Sequence, residues 1–327
     1  MKALALFSGG LDSMLAAKII SDMGVEVTAL HIDIGFGSKD DKSEILARRA
    51  GVAGADFAII DVREEYLKNV LFSPKYGYGK HFNPCIDCHG FMFRTALNSL
   101  ARFGADFIIT GEVLGQRPMS QRSAAINQVN HLSGDSDLIV RPLCAKLLPP
   151  SRPEILGWID REKLLDISGR SRVRQMELAK KFGFDDFETP AGGCLLTLEN
   201  FSNKIKDALK FEKIECVKDA EILKFGRHLR LFGGAKMVVG RNEDENNKLE
   251  MINNPKFTKI EFIDDIVGAS SFLIKTAGTE DKNLAAKIAL TYAKTDFSKI
   301  YRVKIADEIF NASPFEDKKI LSKFLIL

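Results

Sequence analysis

Ser8-Gly9-Gly10-Leu11-Asp12-Ser13 sets two glycines and two hydroxyls between an apolar run, Ala3 to Phe7, and a stretch with helical spacing. Glycines let main-chain N–H groups approach a ligand, and the positive end of the following helix favours an anion, so these residues read as a phosphate cradle. No lysine stands at the helix start, which argues against the Gly-x-x-x-x-Gly-Lys-Ser/Thr loop that transfers γ-phosphoryl groups. The bland alternative is an ordinary Gly-Gly turn. Asp12 either positions Mg²⁺ on the β- and γ-phosphates or caps the helix.

A second constellation is Cys85-x-x-Cys88 in Asn83-Pro84-Cys85-Ile86-Asp87-Cys88-His89, with Cys194 far downstream in Pro190-Ala191-Gly192-Gly193-Cys194. Three readings stay open. Three thiolates without a fourth suit a [4Fe–4S] cluster with one open iron. The same thiols suit cluster-free persulfide or disulfide-relay chemistry. Zinc held with His81 or His89, or simple packing, is the third. Cys144 and Cys216 have apolar neighbours and read as structural. Five cysteines in this arrangement fit a reducing compartment.

A third signal lies near the end of the chain. From Lys224 to Arg241 the cations Lys224, Arg227, Arg230, Lys236 and Arg241 interleave with Phe225, His228 and Phe232, and no acidic residue intervenes. Such a segment either meets phosphates and stacked bases or is a solvated basic face. The net charge is +3, and residues 201–327 carry 23 Lys+Arg against 19 Asp+Glu, so the basic excess is carboxyl-terminal. No apolar stretch approaches the roughly 20 residues of a membrane span, and the first apolar run is broken too early for a signal peptide. Cytoplasm and no membrane partner are the expectation.

Elements must position these groups. Strand-like runs at Ala3–Phe7, Glu26–Ile32, Asp56–Asp61 and Phe107–Thr110 alternate with helical patterns at Asp12–Met23, Lys42–Ala50 and Phe91–Phe103. This rhythm predicts an α/β domain with a doubly wound, mostly parallel sheet, whose ligands lie beyond the strands' carboxyl ends. The glycine loop, His31, Asp33 and Gly111-Glu112 all fall there. A Pro-rich break at Leu147–Pro153 precedes a more helical, basic stretch with Arg170, Arg172 and Arg174. Past Phe211, strand candidates at Ala235–Val239, Lys259–Phe262 and Ser271–Ile274 surround a helix at Lys282–Lys294, which predicts a smaller α+β domain. The expected division is 1–150 for nucleotide binding, 151–210 for a helical, basic extension carrying Cys194, and 211–327 for the small domain.

The Ser8–Ser13 loop resembles the SGGxDS signature of the PP-loop ATP pyrophosphatases, which cleave ATP to AMP and pyrophosphate and activate a substrate oxygen as its adenylate. Residues 1–200 are similar to the tRNA thiouridine synthases of that family. Thr110-Gly111-Glu112-Val113-Leu114-Gly115-Gln116, with Ser120-Gln121 and Arg141-Pro142-Leu143, resembles the 4-thiouridine synthase core, and Cys194 falls where that family keeps its sulfur-handling cysteine. The Asn83–Cys88 segment instead resembles the 2-thiouridine synthases and the cluster-bearing tRNA thiolases. The chain is a hybrid of these patterns.

The resemblance implies an adenine nucleotide alpha hydrolase-like fold with ATP and Mg²⁺ as cofactors, and possible use of a [4Fe–4S] cluster on Cys85, Cys88 and Cys194. It implies nucleotide contacts from Ser8, Gly9, Gly10, Asp12, Ser13, His31, Ile32, Gly111 and Gln116, and catalysis by Cys194, Cys88 and Asp12. The partners implied are tRNA and a sulfur donor, either a cysteine desulfurase persulfide or sulfide. The reaction expected is uridine thiolation, with 4-thiouridine favoured over 2-thiouridine.

Val239-Gly240-Arg241-Asn242-Glu243 with Asn246, the Gly268–Ser271 turn and the Ala285-Ala286 helix are similar to the RNA-binding domain of the NFACT factors. Two other classes stay open: a PP-loop ligase or amidotransferase acting on a small molecule, and a non-catalytic RNA-binding protein.

Overall fold

The computed structural model describes residues 1–188 and 193–327. Two compact units divide the chain, Met1–Thr197 and Leu198–Leu327. Residues 151–197 therefore belong with the first sheet, and the helix from Glu199 opens the second unit.

In the first unit, β1 (Lys2–Leu6), α1 (Leu11–Ser21), β2 (Glu26–Asp33), α2 (Ser43–Val52) and β3 (Asp56–Asp61) follow one another as the apolar rhythm predicts. Then come α3 (Arg63–Tyr66), a π-helical turn at Leu67–Leu71, α4 (Cys85–Asn98), α5 (Leu100–Phe103), β4 (Phe107–Thr110), α6 (Ser123–Ser133), β5 (Ile139–Val140), α7 (Arg152–Ile155) and α8 (Val173–Phe182). The sheet order is β3-β2-β1-β4-β5 with every pair parallel. Continuous apolar strands bury both faces, as a parallel sheet requires: Ala3, Leu4 and Ala5 of β1 are all sealed. Leu11, Leu15 and Ile20 of α1 join Ala5, Val27, Ala29 and Phe107 in one core.

The chain steps from β1 outward to β3 and then returns to the other side of β1 with β4. Strand order thus reverses between β1 and β4, and a crevice opens there beyond their carboxyl ends. His31 and Ile32 lie within β2 itself, which runs on to Asp33.

The second unit contains α9 (Glu199–Phe211), α10 (Val217–Glu221), β6 (Arg227–Arg230), β7 (Lys236–Val239), α11 (Glu243–Ile252), β8 (Phe257–Phe262), β9 (Ser271–Ile274), α12 (Thr279–Thr291), β10 (Tyr301–Ile305) and β11 (Glu308–Ala312). Its six strands form an antiparallel sheet in the order β11-β10-β8-β9-β7-β6. Ala285, Ala286, Ile288 and Ala289 of α12 close the core over Met237, Leu273 and Val303. No described helix is long and apolar enough to cross a membrane.

Candidate active site

The glycine loop sits at the strand reversal. Gly9 adopts φ +71, and a Cβ there would strike the Leu46 side chain, so only glycine fits. Ser13 Oγ donates to Gly10 O at 2.8 Å, and Ser8 Oγ lies 3.5 Å from Ser13 Oγ. The loop after β4 closes on the same turn: a Cβ on Gly111 would stand 2.5 Å from the Asp12 carbonyl carbon. Gly111 is glycine because two backbones meet here.

Asp12, in the first turn of α1, does not stand open. Gln116 Nε2 donates to its Oδ2 at 2.7 Å, and Arg172 Nη2 is 3.5 Å from both carboxylate oxygens. Gln175 of α8, fully buried, donates to Gln116 Oε1 at 2.9 Å. The Arg172 Nε and the Gln175 Oε1 are buried without a partner. Arg172 appeared in the sequence only within a basic run, and Gln175 carried no signal at all.

His31 Nδ1 lies 3.0 Å from Phe7 O, which ties β2 to the end of β1. Ile32 beside it is buried. From α2, Arg49 donates to Gly9 O at 3.2 Å and pairs with Asp186 at 2.7 Å, while Lys42 pairs with Glu188 at 2.6 Å. Gly10 and Glu188 form a parallel bridge, so the chain leading towards Cys194 starts beside the phosphate loop.

The thiols converge from two directions. Cys85, Cys88 and His89 lie three and four residues apart on one face at the start of α4. Asp87 accepts from the Lys75 and Tyr76 N–H groups at 2.7 and 3.0 Å, and so pins the preceding loop to that turn. Asn83 Nδ2 donates to Cys85 Sγ at 3.2 Å. Cys194 is fixed by its backbone: Leu195 N donates to Phe36 O at 2.9 Å, and Thr197 N donates to Cys194 O at 3.1 Å. Pro190, Ala191 and Gly192, the start of the expected loop, lie outside the described residues.

The Phe36 and Tyr66 rings meet at a tilt with centroids 6.0 Å apart, and Tyr66 reaches towards the cysteines. Burial raises the Tyr66 phenol well above its usual range, and the neighbouring thiols add to the shift. Its Oη is buried beside Cys88 yet completes no hydrogen bond of standard geometry. Burial likewise raises the Cys88 thiol, with Cys194 and Cys85 adding to the effect. Burial pushes the Cys194 thiol up to about 11, and Cys85 also raises it. Cys88 is buried, while Cys85 and Cys194 keep partial access to solvent.

Among the described residues, no three His, Cys, Asp or Glu side chains stand close enough together to hold a metal ion. His81 does not join the thiols in a metal site. His89 is turned elsewhere, with its Nδ1 2.9 Å from Glu112 Oε1. Glu112 is buried and bonded on its other oxygen by Arg141 Nε at 2.9 Å. Burial opposes its charge, but Arg141 and His89 outweigh that and hold the carboxyl below its usual range. Cys144 is buried and its Sγ lies 3.4 Å from Glu112 O, which fits the structural role expected. Cys216 is half-buried at the start of α10.

In the second unit the structure corrects the basic-segment expectation. Arg230 pairs with Asp207 and Glu212, and Lys236, sealed from solvent, pairs with Asp207 at 2.8 Å. Arg227 donates to Gly240 O at 3.2 Å and lies over the Tyr292 ring, while Arg241 donates to Gly226 O at 2.9 Å. Phe225, His228 and Lys224 are buried. The segment lacks acids in sequence, but α9 and its C-terminal end supply them in space. Of the three interleaved rings, Phe232 alone is exposed.

Comparisons with known proteins fall on the two units separately. Residues 2–77 match the arginosuccinate synthase N-terminal HUP domain, and residues 226–325 match the NFACT protein RNA-binding domain. The tRNA-specific 2-thiouridylase MnmA of Helicobacter hepaticus is 35% identical over 118 residues, 34% of this chain and 34% of that protein. Its counterpart in Acidithiobacillus ferrooxidans is 29% identical over 145 residues, covering 41% and 40%. The chain thus spans about a third of the length of the first of these relatives. A crystal structure of a 4-thiouridine synthetase–RNA complex with bound ATP overlaps 56% of this chain and 41% of that one, with 21% identity and a TM-score of 0.41.

Proposed function

We propose that this chain, which joins a PP-loop HUP domain to an NFACT-type RNA-binding domain, thiolates a tRNA uridine at the expense of ATP. The observation that carries the reading is the meeting of the glycine loop after β1 with the Gly111–Gln116 loop after β4 at Asp12. His89, beside the Cys85–Cys88 turn, reaches Glu112 of that same β4 loop, which supports a role for the thiols there.

A uridine carbonyl oxygen is a poor leaving group, so attack by that oxygen on the α-phosphorus, with release of pyrophosphate, must come before sulfur. The cradle and the positive end of α1 would hold the phosphates, and Asp12, the carboxylate of the loop, would hold Mg²⁺, whose charge would offset theirs. Ser8, Gly9, Gly10 and Ser13 surround the phosphates in this reading, and the main chain of His31 and Ile32, with Gly111, meets the adenosine.

Sulfur then arrives on Cys194 as a persulfide, supplied by a persulfide donor. Its terminal sulfur attacks the activated ring carbon and AMP leaves. Cys88 next attacks the Cys194 sulfur, which releases the thiolated base and leaves a Cys88–Cys194 disulfide that an external thiol reduces. A [4Fe–4S] cluster on Cys85, Cys88 and Cys194 would supply an open iron to hold sulfide, and it requires those side chains to draw together. A small-molecule ligase would leave both the thiols and the NFACT-type domain without a role.

The test incubates the full chain with tRNA, ATP, Mg²⁺ and a persulfide donor and analyses the nucleosides by mass spectrometry. One thiouridine should appear with matching AMP and pyrophosphate, and the retention time separates the favoured 4-thiouridine from 2-thiouridine. RNA-dependent formation of ADP would overturn the proposal.

A further inference from the structure

With the cations of β6 and β7 paired or covered, an exposed aromatic surface stands out at the end of β6. The turn between β6 and β7 leaves Phe232 81% exposed, with its ring edge-on to Phe324 at a centroid distance of 4.9 Å. This turn is not slack. Asp281 accepts from Gly233 N and Ala235 N, both at 2.9 Å, and a Cβ on Gly233 would stand 2.7 Å from that carboxylate.

A second exposed ring is linked to this turn through Arg230. Arg230 donates to Gly234 O of the same turn at 2.7 Å, and its guanidinium lies 4.4 Å from the centre of the Phe211 ring. Phe211 is itself 49% exposed, and Lys210 Nζ lies 5.0 Å from its centre. Two exposed phenyl rings, both linked to the β6–β7 turn, Phe232 as part of it and Phe211 through Arg230, mark a candidate binding surface.

The charge around the rings identifies the partner. Asp207 and Glu212 are paired with Arg230 and Lys236, and the Asp281 carboxylate under the turn is buried and bonded to its N–H groups. Lys210, Lys213 and Lys323 are exposed, each within three residues of one of the rings or of Phe324. Among the described residues, none of these three ammonium groups forms an ion pair. Aromatic faces rimmed by unpaired lysines suit unstacked bases on a phosphodiester chain, whereas a duplex keeps its base faces covered.

We propose that Phe211 and Phe232, rimmed by Lys210, Lys213 and Lys323, form a stacking surface for unpaired nucleotides of RNA. The proposal rests on the RNA-binding reading of this unit and says which of its surfaces does the binding.

The test measures affinity of the full chain for an unstructured oligouridine and for a tRNA transcript, at two salt concentrations. The double variant Phe211→Ala/Phe232→Ala should bind oligouridine about tenfold more weakly or worse, with ATP affinity unchanged, and Phe211→Trp/Phe232→Trp should restore binding. Unchanged RNA affinity in a folded double Ala variant overturns the surface while leaving the RNA reading intact. A wild-type chain that binds neither RNA overturns both. A wild-type dimer that the double variant converts to monomer with RNA affinity intact assigns the rings to self-association and overturns the proposal.

Discussion

Gln116 holds the Asp12 carboxylate at 2.7 Å, and this one bond joins the loop after β4 to the first turn of α1 across the strand reversal. Gln175 fixes the amide from behind. The carboxylate is therefore aimed before any ligand arrives, and Arg172 offers it a countercharge that a phosphate-bound cation must replace.

Replacing Asp12 or Ser13 with Ala should abolish AMP and pyrophosphate formation in a protein that stays folded. Gln116→Ala should keep measurable turnover with a raised Mg²⁺ requirement, because the carboxylate remains but loses its support. Turnover assays across a Mg²⁺ titration separate the two outcomes.

Arg172 lies 3.5 Å from the Asp12 carboxylate of the glycine loop, with a buried Nε that lacks a partner. Arg172→Ala should weaken binding of ATP and pyrophosphate by about tenfold or more, the worth of a charge-assisted hydrogen bond, and leave AMP binding unaltered. Calorimetry with the three ligands decides this. Equal weakening of AMP would place the arginine at the nucleoside instead.

Cys194→Ala and Cys88→Ala should each end thiolation while sparing adenylation, so pyrophosphate continues to form without thiouridine. Anaerobically purified protein should be free of iron if the persulfide route operates. An iron–sulfur absorption band removed by any of Cys85→Ala, Cys88→Ala or Cys194→Ala would install the cluster route in its place.

Glu112 and Arg141 form a buried pair with side chains 3% and 4% exposed. Glu112→Gln leaves the guanidinium uncompensated and should lower unfolding stability by about 3–5 kcal/mol. Urea denaturation followed by circular dichroism measures this, and a loss within error would show that the pair is neutral to the fold.

Acid should loosen the second unit. Burial opposes the charge on Asp207 and Asp219, but Arg230 and Lys236 around the first, and Lys256 and Asn254 around the second, hold both below the ordinary value of 3.8. A carboxyl with a depressed folded pKa stabilises the fold above its unfolded pKa, and that contribution disappears as pH falls through the folded value. Thermal unfolding should therefore be flat from neutral pH to just above 4 and fall below it. Asp207→Asn should reduce the acid-dependent drop.

Much of the first unit was legible because its signals are local. The apolar runs predicted four of the five parallel strands, and the two-residue β5 is too short to carry a pattern. The glycine loop announced itself through residues whose backbone demands are unusual. The network behind it was hidden, since Arg172 reaches Asp12 from 160 positions away and Gln175 reaches Gln116 from 59, and nothing in their neighbours marks them.

In the second unit the hairpin of β10 and β11 escaped notice because Ala306 takes φ +53 at its turn, where a sequence signal would require Gly or Asn. The cations of residues 224–241 were visible but their partners were not, because Asp207 and Glu212 lie on or just beyond α9. Charge content is written along a chain, whereas charge pairing is settled by packing.

The bond from Leu195 N to Phe36 O leaves Cys194 on a very short leash. A sulfur atom loaded on its thiol gains only about 2 Å of reach, the length of one S–S bond. On the proposed route, a carrier held this way would not swing between a loading dock and a distant acceptor, so donor and nucleobase would each have to come to it in turn.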